Sequence, residues 1–297
     1  MGDLKQRVMT AIVALPIALI LLILGGVWFS LLILFLVLVG QSEFYRIVEI
    51  KGVTPMKITG YTLATFLVVV AHFSNEYYLN LFLTMAILFI FIMQLYRRDV
   101  KTAISTISST IVSIVYVAWL ISHAILLRNI GNELVGKYGI VVQKIADLIT
   151  RPDYMGLAYV ILVVATTFLA DTAAYFVGKT WGRHKLAPVV SPKKTWEGAI
   201  AGVISSIIVA LLTKYIMGIK MDALYIGILG LLLGIFGILG DLSESLLKRD
   251  VDIKDSGNIF PGHGGVLDRL DSLMFNVPIT YYFVKTYYYY EILKLFK

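Results

Sequence analysis

The feature that most constrains this chain is a series of apolar runs, each close to the length of helix that crosses a bilayer. They occupy residues 8–24, 28–48, 59–74, 79–96, 103–127, 155–178, 197–217, 223–243 and 266–288. A helix needs roughly 20 apolar residues to span hydrocarbon, where every backbone N–H and C=O must be satisfied within the segment because no water reaches it. The runs therefore predict an all-α integral membrane protein with nine transmembrane helices. Composition agrees, since 59% of the 297 residues are hydrophobic and only 15% are charged. Three regions are expected: N-terminal helices over 1–100, middle helices over 101–178, and a charged C-terminal region over 179–297.

Lys and Arg accumulate on the cytoplasmic side of membrane proteins. Lys5 and Arg7 precede the first run and no small-residue cleavage site follows it, so it reads as a retained helix with its N-terminus inside. With nine spans the C-terminus lies outside. Sixteen basic residues then fall on inner segments and nine on outer ones, with Arg269 inside a helix. The long 128–153 segment, placed outside, carries no motif and reads as a solvated, partly helical connection. Trp28, Trp181, Trp196 and the "TYYYY" run from Thr286 to Tyr290 read as interfacial anchors. The net charge of +7 fits contact with anionic headgroups or phosphates, although basic inner loops alone account for it.

The absence of cysteine excludes disulfides, thiol nucleophiles, iron–sulfur clusters and Cys-ligated zinc. Any metal must be held mainly by carboxylates, and hard oxygen ligands point to magnesium-like ions.

Charge gathers in "KRDVDIKDSGNIFPGHGGVLDRLD", Lys248 to Asp271, between two apolar runs. Asp241, Ser245 and Lys248 share one helical face, and Asp268 and Asp271 share a face of the next helix. Three carboxylates can thus converge from adjacent helices as a metal site. Each costs about 2.5–3.5 kcal/mol at mid-membrane unless it meets water, a cation or a metal, which makes the cluster a functional candidate. The bland alternative is neutralisation by Lys248 and Arg269. Between the helices, "PGHGG" (Pro261–Gly265) supplies glycines for a turn at a helix start, a natural anion site, with Lys248, Arg249, Lys254, Arg269 and His263 around it.

A second polar island, "SPKKTWEG" (Ser191–Gly198), opens the seventh predicted helix. Ser191 is a candidate cap, Lys193 and Lys194 supply cations, Thr195 supplies a hydroxyl and Glu197 follows in the first turn; a plain basic loop is the alternative. Asp171 lies within "FLADTAAYFVGK", inside an apolar run. Gly227, Gly230, Gly234, Gly237 and Gly240 line one face of the eighth helix, allow close backbone approach and lead into Asp241.

Ser245 to Asp271 resembles, without a gap, the signature of the phosphatidate cytidylyltransferase (CDP-diacylglycerol synthase) family. The pattern is S-x-L-K-R, four residues, K-D-x-G, two residues, then F-P-x-H-G-G-V-x-D-R-L-D. "SPKKTWEG" and the Asp171 segment are similar to the family too, whereas the N-terminal half resembles it only in helix count and hydropathy. The resemblance implies an enzyme that joins CTP to phosphatidic acid, giving CDP-diacylglycerol and pyrophosphate for phospholipid biosynthesis. It implies a magnesium-dependent two-ion site at Asp241, Asp268 and Asp271, the second ion being a monovalent cation such as K⁺. Catalytic roles fall to Lys248, Arg249, His263, Asp268 and Asp271. Substrate contacts fall to Asp171, Ser191, Lys193, Lys194, Thr195, Glu197, Lys254, Gly264, Gly265 and Arg269. A homodimer in the cell (inner) membrane, with the active site at its cytoplasmic side and no nucleic-acid partner, completes the expectation. The rivals are a CTP-dependent lipid kinase, a transferase for another phospholipid, and a transporter built on intramembrane acids. No inverted repeat supports the last, and the D-x-x-D-G-x-x-A-R pattern of CDP-alcohol phosphotransferases is absent.

Overall fold

The computed structural model describes residues 2–73, 76–136, 152–257, 259 and 264–294. The apolar runs become α1 Gly2–Leu24, α2 Gly26–Ile50, α3 Lys57–Phe73, α4 Glu76–Arg97, α5 Ala103–Arg128, α6 Pro152–Thr180, α7 Trp196–Ile216, α8 Ala223–Arg249 and α9 Leu267–Lys294. Six of these, α2 and α4 to α8, are long and apolar enough to cross a membrane. Together they make the chain an integral membrane protein. Nine such spans were expected, but α3 and the apolar part of α1 are shorter, and α9 opens on Asp268, Arg269 and Asp271. The outer faces are greasy, as lipid contact requires. Ile200, Ile204, Ile208 and Leu212, one i+4 stripe on α7, are each 52–56% exposed.

The chain divides into two compact units, residues 1–126 with 247–270, and residues 127–246 with 271–297. In the first, α2 packs on α1, α3 and the middle of α5, where Ser113–Trp119 widens into a π-helix. Buried polar groups cluster at that widening. Gln41 Nε2 donates to Tyr45 Oη at 3.1 Å and to Ser113 Oγ at 3.2 Å, and Ser113 Oγ donates to Tyr45 Oη at 2.8 Å. Such shared hydrogen bonds are how an apolar core tolerates hydroxyls and amides.

In the second unit α6 and α7 form an extensive helix pair. The glycine face of α8 is used for close packing within the chain. A Cβ on Gly234 would stand 2.4 Å from Ser206 Oγ and 2.8 Å from Val203 Cα on α7, and one on Gly240 would stand 2.5 Å from the Asp271 carbonyl on α9. Gly227 faces open space. With that face occupied internally, it offers no argument for a dimer.

Two expectations change. The fold is not purely helical, because β1 Lys185–Ala187 and β2 Ser191–Thr195 pair antiparallel before α7. "SPKKT" is therefore a strand, and the helix begins only at Trp196. The tyrosine run is not a uniform belt, since helical periodicity turns Tyr288 inward, 1% exposed and 3.2 Å from Tyr159 Oη, while Tyr289 and Tyr290 face out. In the 128–153 segment, residues 130–136 are helical, in keeping with a partly helical connection, and Arg128 and Asn132 bond Asp153. Residues 137–151 lie outside the described residues, and so does His263 with Pro261.

Candidate active site

In the second unit four elements bring together one charged group. Asp171 comes from α6, Lys194 from β2, Asp241 from α8 and Asp271 from α9, and charge–charge interactions link the three acids with each other and with the lysine. Lys194 Nζ stands 2.6 Å from Asp241 Oδ2. Asp271 Oδ1 accepts the Ser272 N–H at 2.6 Å, and Ser245 Oγ reaches Asp241 Oδ1 at 3.3 Å. The group is open to the surface, with Asp171 exposed and Asp241, Asp271 and Lys194 half-buried. One ammonium against three carboxylates leaves excess negative charge when all are ionised, which favours a further cation.

The hairpin is what delivers Lys194. Thr195, 5% exposed, is the N-cap of α7 and accepts the Gly198 N–H at 3.2 Å on its hydroxyl. Capping thus falls to Thr195 and not to Ser191, and that hydroxyl serves the helix start. Gly178 and Gly182 leave room for the Thr195 side chain: a Cβ on either would come within 3.0 Å of it. Glu197 bonds His184, Nδ1 at 2.6 Å and the backbone N–H at 3.3 Å, holding the base of the hairpin. Lys193 remains exposed on β2.

In the first unit Asp268 is an organiser. Its Oδ1 accepts Lys248 Nζ at 2.7 Å, in a pair whose side chains are only 11% and 8% exposed. Its Oδ2 accepts Ser256 N at 2.9 Å, Ser256 Oγ at 3.0 Å and Gly265 N at 2.7 Å. Protein donors thus engage both oxygens of Asp268, three of them on Oδ2 and one on Oδ1. The turn passes through Gly264 at φ 84°, where a side chain would be strained. The helix start that follows is not an open anion site: Gly265 N points at Asp268, and Val266 N and Leu267 N point at the Glu43 carboxylate from α2, each at 2.9 Å. Arg249 Nη1 donates to Ile253 O at 2.8 Å, while Lys254 and Arg269 are exposed.

Magnesium suits the donor chemistry of Asp171, Asp241 and Asp271, which is all hard oxygen with uncompensated charge. Among the described residues no three acids or histidines already stand as a ligand set around one point. An open groove of about 470 Å³ between α2 and α3 is lined by Leu38, Val39, Ser42, Tyr61, Thr62 and Thr65, with no carboxylate or cation for phosphate chemistry.

A family model described as cytidylyltransferase family matches residues 5–287. The chain belongs to the cytidylyltransferase family. Within that family it is 35% identical over 288 residues to a phosphatidate cytidylyltransferase of Synechocystis sp., covering 94% of this chain and 96% of the relative. A phosphatidate cytidylyltransferase of Bacillus subtilis is 31% identical over 291 residues, covering 95% and 98%. One from Staphylococcus aureus reaches 48% identity over 124 residues, 42% of this chain and 48% of the relative. The match to family members therefore extends through the N-terminal half, where motif reading found only hydropathy. Glu43 lies in that half and was not among the residues singled out. It sits in the apolar run "LVGQSEFYRIVEI", and the same reasoning that marked Asp171, an acid inside a membrane-length run, applied to it.

Proposed function

We propose that this chain transfers the cytidylyl group of CTP to phosphatidic acid, giving CDP-diacylglycerol and pyrophosphate. The observation that carries this is the match to phosphatidate cytidylyltransferases over more than 90% of both chains. An oxygen of the phosphatidate phosphate attacks the α-phosphorus of CTP. The new P–O bond forms in line as the bond to the β-phosphate oxygen breaks, and pyrophosphate leaves with the electron pair. Phosphatidate is already ionised at neutral pH, so no strong general base is needed, and positioning with charge neutralisation does the work.

In this reading Asp171, Asp241 and Asp271 would hold magnesium, which when bound neutralises charge on the triphosphate. Lys194 fixes Asp241 and, with exposed Lys193, places positive charge on the hairpin for phosphate oxygens. Asp268 is assigned to holding the signature turn instead of the ion, because its oxygens already take Lys248, Ser256 and Gly265. Arg249, Lys254 and Arg269 are assigned to phosphate charge, and His263 to the same turn on the resemblance. A second, monovalent ion and a homodimer also rest on the resemblance. The bias of basic residues supports an orientation with the N-terminus and the acid cluster toward the cytoplasm, in the cell membrane.

The test is incubation of purified protein with radiolabelled CTP, phosphatidate and Mg²⁺, followed by identification of the lipid product. CDP-diacylglycerol with release of pyrophosphate is expected, and EDTA should stop its formation until Mg²⁺ is restored. A phosphorylated lipid with CDP as by-product would identify a kinase instead, and full turnover in EDTA would sink the magnesium assignment.

A further inference from the structure

Glu43 is a glutamate on a membrane-length helix, only 4% exposed. Its partners all come from the signature segment more than 200 residues later in the sequence. Oε1 accepts Val266 N at 2.9 Å, Oε2 accepts Leu267 N at 2.9 Å, and Ser256 Oγ stands 3.1 Å from Oε2. The same serine hydroxyl lies 3.0 Å from Asp268 Oδ2, so the two carboxylates flank one donor. Two signature glycines enclose the Glu43 side chain. A Cβ on Gly257 would stand 2.3 Å from Oε1, and one on Gly265 would stand 2.5 Å from Oε2. The donors at a helix N-terminus carry partial positive charge, which a carboxylate satisfies better than an amide.

We propose that Glu43 is a positioning residue for the transferase reaction: it clamps the turn at Gly265–Leu267 and thereby fixes Asp268 and the start of α9. This rests on the reading that the signature segment serves cytidylyl transfer. It gives a reason for the glycines at 257 and 265 that needs no direct contact with phosphate, because a side chain at either would push into the clamp. It also ties the N-terminal helices to the reaction without placing any of their side chains on substrate. An amide at position 43 keeps the shape but turns an NH₂ toward backbone N–H donors.

The test compares wild type with Glu43→Gln in lipid nanodiscs, reading amide hydrogen exchange over 264–270 together with kcat and KM for CTP. Charge-assisted bonds of this kind change local opening by about tenfold or more. The expected result is exchange about tenfold faster in that segment, wild-type exchange in the other helices, and kcat at least about tenfold lower with KM for CTP within about threefold. Ser256→Ala, which removes one donor and leaves the carboxylate, should show the same pattern to a smaller degree. Because the Ser256 hydroxyl also meets Asp268, Gly257→Ala, whose Cβ would press first on the Glu43 side chain, should show the pattern too and decides the matter if Glu43→Gln fails to accumulate. Wild-type exchange over 264–270, or wild-type kcat beside accelerated exchange, would overturn the proposal. Wild-type protein that makes no CDP-diacylglycerol would instead overturn the functional reading on which it rests.

Discussion

Replacing Asp268 by Asn separates two views of this residue, organiser of a turn or metal ligand. Its Oδ1 holds the Lys248 ammonium at 2.7 Å in a pair that is about nine-tenths buried, while Oδ2 takes three donors from Ser256 and Gly265. An asparagine can keep its oxygen toward those three donors only by turning its NH₂ toward the ammonium, and the flipped amide merely exchanges one donor–donor conflict for three. Removing one partner of a buried ion pair costs about 3–5 kcal/mol, and the retained acceptor contacts place this case near the lower end, about 3 kcal/mol. The measurement is unfolding of purified, EDTA-treated protein in mixed micelles of rising denaturing-detergent content. Lys248→Met and the double variant complete a cycle, with an expected coupling of at least about 1.5 kcal/mol. A residue serving mainly as a metal ligand would behave in the opposite way, because neutralising it in metal-free protein relieves repulsion. Wild-type stability of Asp268→Asn, or coupling below about 0.5 kcal/mol, refutes the reasoning.

Other outcomes follow from the same geometry. Gly234→Ala should lower stability by about 1–3 kcal/mol through overpacking against Ser206 and Val203, whereas Gly227→Ala, facing open space, should be neutral or stabilising; thermal unfolding in detergent distinguishes them, and equal effects would contradict the packing described. Thr195→Ala should cost about 1 kcal/mol by removing the α7 cap, with Thr195→Ser recovering most of it in the same assay. Asp271→Asn should reduce CDP-diacylglycerol formation by about a hundredfold or more while the protein stays folded. Near-normal turnover would remove Asp271 from the acid set.

Much of the fold was readable because lipid imposes a simple demand on the backbone, and the apolar runs mark where helices must form. The positions of α2 through α8 follow from that demand. The signature was readable because its spacing is fixed. What escaped was the destination of individual donors. The N–H groups of Gly265, Val266 and Leu267 look from sequence like an anion site, yet protein carboxylates take them, one only three residues on and the other in α2. Spacing along a chain cannot report a partner supplied by a distant helix. The hairpin escaped for a different reason: Lys185–Ala187 is three residues long, below what alternation can signal, and Pro192 in β2 argues against a strand away from an edge. The tyrosine run misled because composition marks an interface, whereas helical phase decides which rings reach it.

The contact at Gly240 bears on how reproducibly the acid cluster is spaced. Where a side chain separates two helices, their spacing varies with its rotamer, and a carboxylate on each helix inherits that play. At Gly240 nothing intervenes, and the main chain of α8 lies directly against that of α9 at Asp271 and Ser272. Asp241 follows Gly240 by one residue, so both acids sit beside a junction of bare backbone. Their separation works like a machined gauge set by the widths of two peptide chains, and even a methyl group at position 240 would reset it.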